Sequence, residues 1–255
     1  MRILLCLTIL FFPFIIKTDA AGVNLNYQFY VIPNAGPEKV EMELFLKNDG
    51  DLPLNFEFPT SQIYEITITN PAGRGVYRYS KGRSFLQAFQ TIRIGPHKTY
   101  KRTETWNYQI NGQRVPKGEY SVNAIFKPIH LNDHPIEDRG KLIASKKLFV
   151  PEENPTFRHL DVKGSKGNYV ISGETRTEKG LFFYTVEDGH FEYFKEKQGR
   201  ANGGNSDWSS FKLQIHLPEE NLPNNSTLTL FLYERSKEGK IIHSYPLTLE
   251  KFYEP

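Results

Sequence analysis

Apolar residues recur at every second position along most of this chain. In "KVEMELFLKN" they are Val40, Met42, Leu44 and Leu46; in "GEYSVNAIF" they are Tyr120, Val122, Ala124 and Phe126; "QIYEITITN" contributes Ile63, Ile66 and Ile68. A period of two puts such residues on one face of a strand and leaves Glu, Lys, Thr and Asn for the other. Turn-forming residues in "NDGD", "NPAG", "PKG" and "GPHK" bound these runs. Many short strands at this spacing predict an all-β fold of stacked sheets, a sandwich. The second half repeats the pattern in "NYVISGETR", "GLFFYTV", "WSSFKLQIHL", "STLTLFLYER" and "KIIHSYPLTLEKF". Its "EDGH" and "SKEGK" turns predict two hairpins, Leu181 to Val186 with Phe191 to Phe194 and Thr227 to Glu234 with Lys240 to Leu249. The glycine-rich, polar "QGRANGGNSDW" is expected to be a mobile loop. No internal sequence repeat relates the halves.

One stretch departs from the pattern. "VYRYSKGRSFLQAFQ", Val76 to Gln90, alternates aromatic and basic residues, then gathers Phe85, Leu86 and Phe89, with no carboxylate. Val76, Tyr77 and Tyr79 read as a strand and Lys81-Gly82 as a turn. Ser84 with Gln87 reads as a capping box that starts one helical turn. Phe85 and Phe89 would then share a face, with Leu86 beside them, and plug an open end of the sandwich. Between Glu65 and Glu104 there is no acidic residue, whereas Arg74, Arg78, Lys81, Arg83, Arg93, Lys98, Lys101 and Arg102 supply eight positive charges. Such a run attracts an anionic partner at long range or forms a solvated basic face.

The N-terminus changes the compartment expected for this fold. "MRILLCLTILFFPFIIKTDAAG" has one Arg, an apolar run from Ile3 to Ile16, and small residues at Thr18 and Ala20 that suit cleavage before Ala21. This is the layout of a secretory signal peptide. The run is short for a stable membrane span and Pro13 interrupts it, although retention as an anchor is the other reading. Cys6, the only cysteine, lies inside it, so the mature chain would have no thiol and no disulfide. Export without disulfides suits a bacterial exterior.

The remaining length suits two domains. Residues 21–150 carry 17 Lys and Arg against 12 Asp and Glu, while residues 151–255 carry 13 against 16. The halves are therefore of opposite sign, and "PEENP" at 151–155 has the chemistry of an exposed linker. The expected division is a signal peptide at 1–20, one sandwich at 21–150, a linker at 151–155 and a second sandwich at 156–255.

Signals for chemistry are sparse. The chain has no G-x-S-x-G, H-E-x-x-H, Walker loop or G-x-G-x-x-G, so neither a catalytic residue nor a cofactor is expected. His130 and His134 are four apart in "HLNDHP", but Asn132-Asp133 and Pro135 mark a loop, which argues against a metal site. Glu187 and Asp188 read as turn residues, not as a paired acid and base. Basic residues interleaved with Tyr77, Tyr79 and Phe85 could stack bases. Export, a near-balanced mature charge and an acidic second half argue against nucleic acid.

"VYRYSKGRSFLQAFQ", followed by "IRIGPHKTYKRTETW" and "GQRVPKGEYSVNAIF", resembles the intracellular proteinase inhibitor family of bacilli, the BsuPI domain, over about Asn24 to Val150. That resemblance implies an immunoglobulin-like sandwich whose founding activity is inhibition of a serine protease. "VISGETR", "GLFFYTVEDG", "DWSSFKLQIHL" and "LTLFLYERSKEGKIIHSYPLTL" resemble the bacterial spore-germination immunoglobulin-like domain, over about Thr156 to Lys251. That module implies an extracytoplasmic adhesion or scaffolding role and no catalytic residue.

Two functions fit. One is a secreted, non-enzymatic binding protein of two immunoglobulin-like sandwiches in tandem that inhibits a serine protease of the subtilisin type. Arg74, Arg78, Lys81 and Arg83 would then be its contact residues. "NPAGRG" around Arg74 reads as too flexible to act as a rigid substrate-like loop. The other is a structural or adhesion module of the Gram-positive envelope or spore surface, resting on anionic wall polymer.

Overall fold

The computed structural model of the protein describes residues 25–203 and 207–253. The expected leader with its expected cleavage point before Ala21, and Cys6 within it, lie outside the described residues, as do Gly204 to Ser206 of the expected mobile loop. The chain order opens with β1 (Tyr27–Ala35), β2 (Val40–Asn48), β3 (Leu54–Phe58), β4 (Tyr64–Thr69), β5 (Gly75–Arg78), β6 (Gln90–Ile94) and β7 (Thr99–Trp106). Next come β8 (Gln109–Ile110), β9 (Gln113–Arg114), β10 (Gly118–Phe126), β11 (His130–Leu131), β12 (His134–Pro135) and β13 (Ile143–Val150). The second half consists of β14 (Phe157–Ser165), β15 (Asn168–Thr175), β16 (Leu181–Glu187), β17 (Glu192–Arg200), β18 (Ser209–His216), β19 (Thr227–Arg235) and β20 (Ile241–Lys251). Every strand pair is antiparallel. The helical elements among the described residues are three short 3-10 turns, and no helix there is long and apolar enough to cross a membrane.

In the first half the sheets run β1-β2-β7, β13-β10-β4-β5 and β12-β11-β3-β6. They meet over one core, where Phe126 of β10 touches Phe29 of β1, Phe56 and Phe58 of β3 and Tyr100 of β7 at ring-centroid distances of 5.0–6.4 Å. The alternation expected in β10 is met, with Tyr120, Val122, Ala124 and Phe126 all buried. In β4 the buried face is Tyr64, Ile66 and Ile68; Ile63 precedes the strand and is only partly buried. A two-residue period excludes Ile63 from the face of Ile66, so Tyr64 is the correct third member.

Strand β2 is buried on both faces, which alternation alone does not predict. Glu43 is 5% exposed and takes the ammonium groups of Lys101 at 2.9 Å and Lys251 at 3.1 Å. Burial acts to raise its pKa, but the two lysines outweigh it and hold the carboxyl below the usual range. Lys251 comes from β20, so this face of β2 meets the second half.

The second half forms the sheets β14-β15-β18 and β17-β16-β19-β20 over a separate cluster of buried residues. Phe157, Phe182 and Phe211 pack together there, with Tyr245 edge-on to Phe157. Both expected hairpins are present as β16–β17 and β19–β20. Asp188 closes the first by accepting the N–H groups of His190 and Phe191 at 2.9 and 2.8 Å, the turn role expected of it.

The glycine-rich segment corrects an expectation. Gln198 to Arg200 complete β17. Gly199 lies opposite Phe182, where an added Cβ would come within 2.3 Å of the ring. Glycine is there because an aromatic ring occupies the place of its side chain. Farther on, the Arg158 and Arg176 guanidinium groups lie 4.0 and 4.9 Å from the ring of Trp208.

Candidate functional site

Edge strand β5 carries the basic stretch, with a turn at each end. It pairs with β4 through Thr67 opposite Arg78 and Ile68 opposite Tyr77, with an irregularity at Val76, between Tyr77 and Gly75. On one side lies the Asn70–Arg74 turn. Asn70 Oδ1 accepts the N–H of Ala72 at 3.1 Å and of Arg74 at 3.0 Å, while the Asn70 N–H donates to the Arg74 carbonyl at 2.9 Å. Gly73, at φ 75°, supplies the left-handed residue that closes it. The turn expected to be flexible is therefore closed on itself by hydrogen bonds to the Asn70 side chain and backbone.

On the other side, residues 79–89 cross from β5 to β6, the edge of a different sheet. The helical turn expected at Ser84–Gln87 is absent and the backbone there has no regular structure. Tertiary hydrogen bonds replace the capping box. Leu86 donates its N–H to Ser61 Oγ at 2.9 Å, and its carbonyl accepts the Ser61 N–H at 3.0 Å. The plug reading also fails for two residues, since Leu86 is 72% and Phe89 67% exposed. Phe85 alone turns inward, half-buried, with its ring 5.9 Å from that of Tyr79.

Two carboxylates distant in sequence fix the start of this crossover. Glu65 Oε1 accepts the Ser80 N–H at 3.1 Å. Glu104 of β7 accepts the Tyr64 hydroxyl at 2.6 Å and the Arg83 guanidinium at 3.1 Å. The guanidinium also lies 4.0 Å over the Tyr79 ring, and that ring is 4.7 Å from Tyr64. Burial, then the hydrogen bond to Glu104, pushes the Tyr64 hydroxyl well above its ordinary pKa. The Tyr77 hydroxyl, buried without a partner among the described residues, is pushed up to about 12 by burial and then by the charge of Glu104. Sequence reading saw a stretch free of acids; the fold brings Glu65 and Glu104 to it from both ends.

Of the four expected contact residues, Arg74 sits in the first turn, Arg78 ends β5, and Lys81 lies in the tight turn that follows. All three are exposed, and among the described residues none has a carboxylate within ion-pair distance. Arg83 differs, because its charge is engaged by Glu104 and its plane by Tyr79. The four therefore share one edge, but only three present an unpaired charge. Reasoning from charge missed Leu86 and Phe89, whose exposure no local pattern announces.

Elsewhere several polar groups are engaged with one another, although the Thr175 and Thr177 hydroxyls are buried without a partner among the described residues. His130 and Glu57 are cross-strand partners, 2.5 Å apart, and Asn132-Asp133, at positive φ, forms the tip of the β11–β12 hairpin. Among the described residues no three side chains are grouped to hold a metal. A groove of about 740 Å³ between the halves is bordered by Glu38, which accepts the His159 N–H at 2.9 Å and the Tyr245 hydroxyl at 3.1 Å, and by Glu43 with its two lysines.

The edge loop and its tethers lie within the part of the chain that comparison identifies. Residues 27–129 match the family model BsuPI, described as intracellular proteinase inhibitor. The match covers less than half of the chain, ends within the first half, and includes β5, the crossover and Glu104. No curated protein matches the chain by sequence. Among solved structures, red sea bream transglutaminase is similar at 13% identity with a TM-score of 0.32, over 88% of this chain and 31% of that one. This chain thus spans about a third of the transglutaminase. A CARDB domain from Pyrococcus furiosus is similar at 14% identity and a TM-score of 0.27, over 49% of this chain and 92% of that one. The YadV chaperone is similar at 11% identity and a TM-score of 0.22, over 86% and 99% of the two chains.

Proposed function

We propose that this chain is an exported, non-enzymatic binding protein of two immunoglobulin-like β-sandwich domains in tandem, the first of which inhibits a serine protease of the subtilisin type. The divisions proposed are those of the sequence: a leader at 1–20, a first domain at 21–150, a linker at 151–155 and a second domain at 156–255. The family match over 27–129 carries the inhibitor reading. The crossover between β5 and β6 supports it physically. An inhibitor must present a segment to a protease without losing much conformational entropy on docking, and a loop braced by Glu65, Glu104 and Ser61 has already lost it.

In this reading Arg74, Arg78 and Lys81 steer the partner, and Arg83 holds the loop. Titration of the mature protein against a panel of secreted subtilisin-like proteases, with cleavage of the inhibitor followed in the same tubes, tests the activity. Replacing Arg74, Arg78 and Lys81 together by alanine is expected to weaken inhibition, chiefly by slowing association, with little change in the thermal transition. Undiminished inhibition by that variant would remove the basic edge from the account.

The unpaired charges of Arg74, Arg78 and Lys81 favour a second reading, a structural or adhesion module of the envelope or spore surface that rests on anionic wall polymer. The resemblance of residues 156–251 to a spore-germination module agrees with it and rests on sequence patterns alone. Retention on purified cell wall would then fall steeply as salt rises towards physiological strength. Retention indifferent to salt would oppose it.

A further inference from the structure

We infer that Phe89 is the side chain that enters the primary specificity pocket of the target protease, and that the target has an apolar pocket, not an acidic one. This inference rests on the inhibitor reading above and names the residue through which it operates. A substrate-like segment must offer a protease two things at once: free backbone donors and acceptors for strand-like pairing in the cleft, and an unburied side chain for the pocket beside it.

Two exposed segments on this edge compete for that role. At Arg74 the N–H is donated to Asn70 Oδ1 and the carbonyl accepts the Asn70 N–H, so the residue has spent its backbone on its own turn. Leu86 is exposed but fails likewise, since its N–H and carbonyl are both engaged by Ser61. Just beyond it the backbone is open. The N–H groups of Gln87, Ala88 and Phe89 have no acceptor among the described residues.

The carbonyls of Ala88 and Phe89 each accept one bond, from the side-chain amide of Gln90 at 3.3 and 3.0 Å, as those of Arg74 and Leu86 each accept one from a backbone N–H, so the free N–H groups are what set this segment apart. This open segment is suspended between fixed ends, the Ser61–Leu86 pair before it and Gln90 paired with Phe58 after it. Phe89 stands 67% exposed at its end. A large aromatic side chain offered to solvent from a braced backbone has the character of an interface anchor. Its complement is an apolar pocket, since an acidic pocket would select the arginine whose backbone is closed.

The test uses the full mature chain and measures inhibition constants against subtilisin-type, chymotrypsin-type and trypsin-type enzymes. The wild type is expected to inhibit the first two better than the third. Phe89→Ala should weaken that inhibition by about 30-fold or more, the effect of truncating an anchor residue. Arg74→Ala should change it by less than about 3-fold, a steering effect. Phe89→Arg should shift preference towards the trypsin-type enzyme. Equal inhibition by wild type and Phe89→Ala, or strongest inhibition of the trypsin-type enzyme, would overturn the assignment and leave the inhibitor reading standing. Phe89→Ala should keep the wild-type thermal transition; a marked fall would place the ring in the core and also overturn it. Absence of inhibition by the wild type across the panel would instead refute the inhibitor reading, and this assignment with it.

Discussion

Two connections look alike at the level of composition and behave in opposite ways. The crossover 79–89 is rich in apolar residues, yet it presents Leu86 and Phe89 to solvent. The segment 198–202 is polar and glycine-containing, yet Gly199 lies against Phe182, Ala201 is buried, and the Ala201 and Asn202 N–H groups each donate to a backbone carbonyl at 2.9 Å. What separates them is the partner across the fold. Gly199 meets a ring on the neighbouring strand, whereas Leu86 meets Ser61, which engages its backbone and leaves its side chain outside. Composition states what a segment could bury; the long-range partner decides what it does bury.

Substitutions can separate the two regions by magnitude. Gly199→Ala should be the most damaging, at about 3 kcal/mol, because an added Cβ would lie within 2.3 Å of the fully buried Phe182 ring and force it to shift within a packed core. The midpoint of urea unfolding measures it. Glu104→Ala should cost about 2 kcal/mol by removing the charged acceptor of Tyr64 and Arg83, and should also weaken inhibition by freeing the start of the crossover. A loss of stability without a loss of inhibition would show that the tether does not serve binding.

Tyr77→Phe should be neutral or stabilising by about 1 kcal/mol, since it removes a buried hydroxyl that has no partner. The same hydroxyl predicts a response to alkali. Its folded pKa lies above the unfolded value, so its contribution to stability is complete below about pH 10 and is lost as pH rises through about 12. Wild type should therefore lose more stability over that window than Tyr77→Phe, as chemical denaturation at each pH will show. Smallest of all, the double change Leu86→Ser and Phe89→Ser should alter stability by no more than about 0.5 kcal/mol.

How much was legible in the sequence follows from the range of the forces involved. Alternation at Tyr120 to Phe126, and turn residues such as Asp188, act within a few residues, and those elements form as expected. The reading of Ser84 with Gln87 as a capping box was locally sound. It was overridden by Ser61, 25 residues away from Leu86 in sequence. Glu104 was invisible as a member of the basic stretch for the same reason, being 21 residues from Arg83. The exposure of Arg74, Arg78 and Lys81 was legible because a charged side chain left in water needs no partner. Phe89 was misread because an apolar residue is ordinarily given a core unless the fold withholds one.

Backbone amide exchange, in the free protein and in complex with an inactivated subtilisin-type protease, bears most directly on the crossover as a preformed recognition segment. The account predicts that in the free protein the Leu86 amide is slow while those of Gln87, Ala88 and Phe89 are fast, and that only the latter three gain strong protection on binding. Protection that appears at Ala72 to Arg74 or in the second half, with residues 87–89 still exchanging freely, would contradict it.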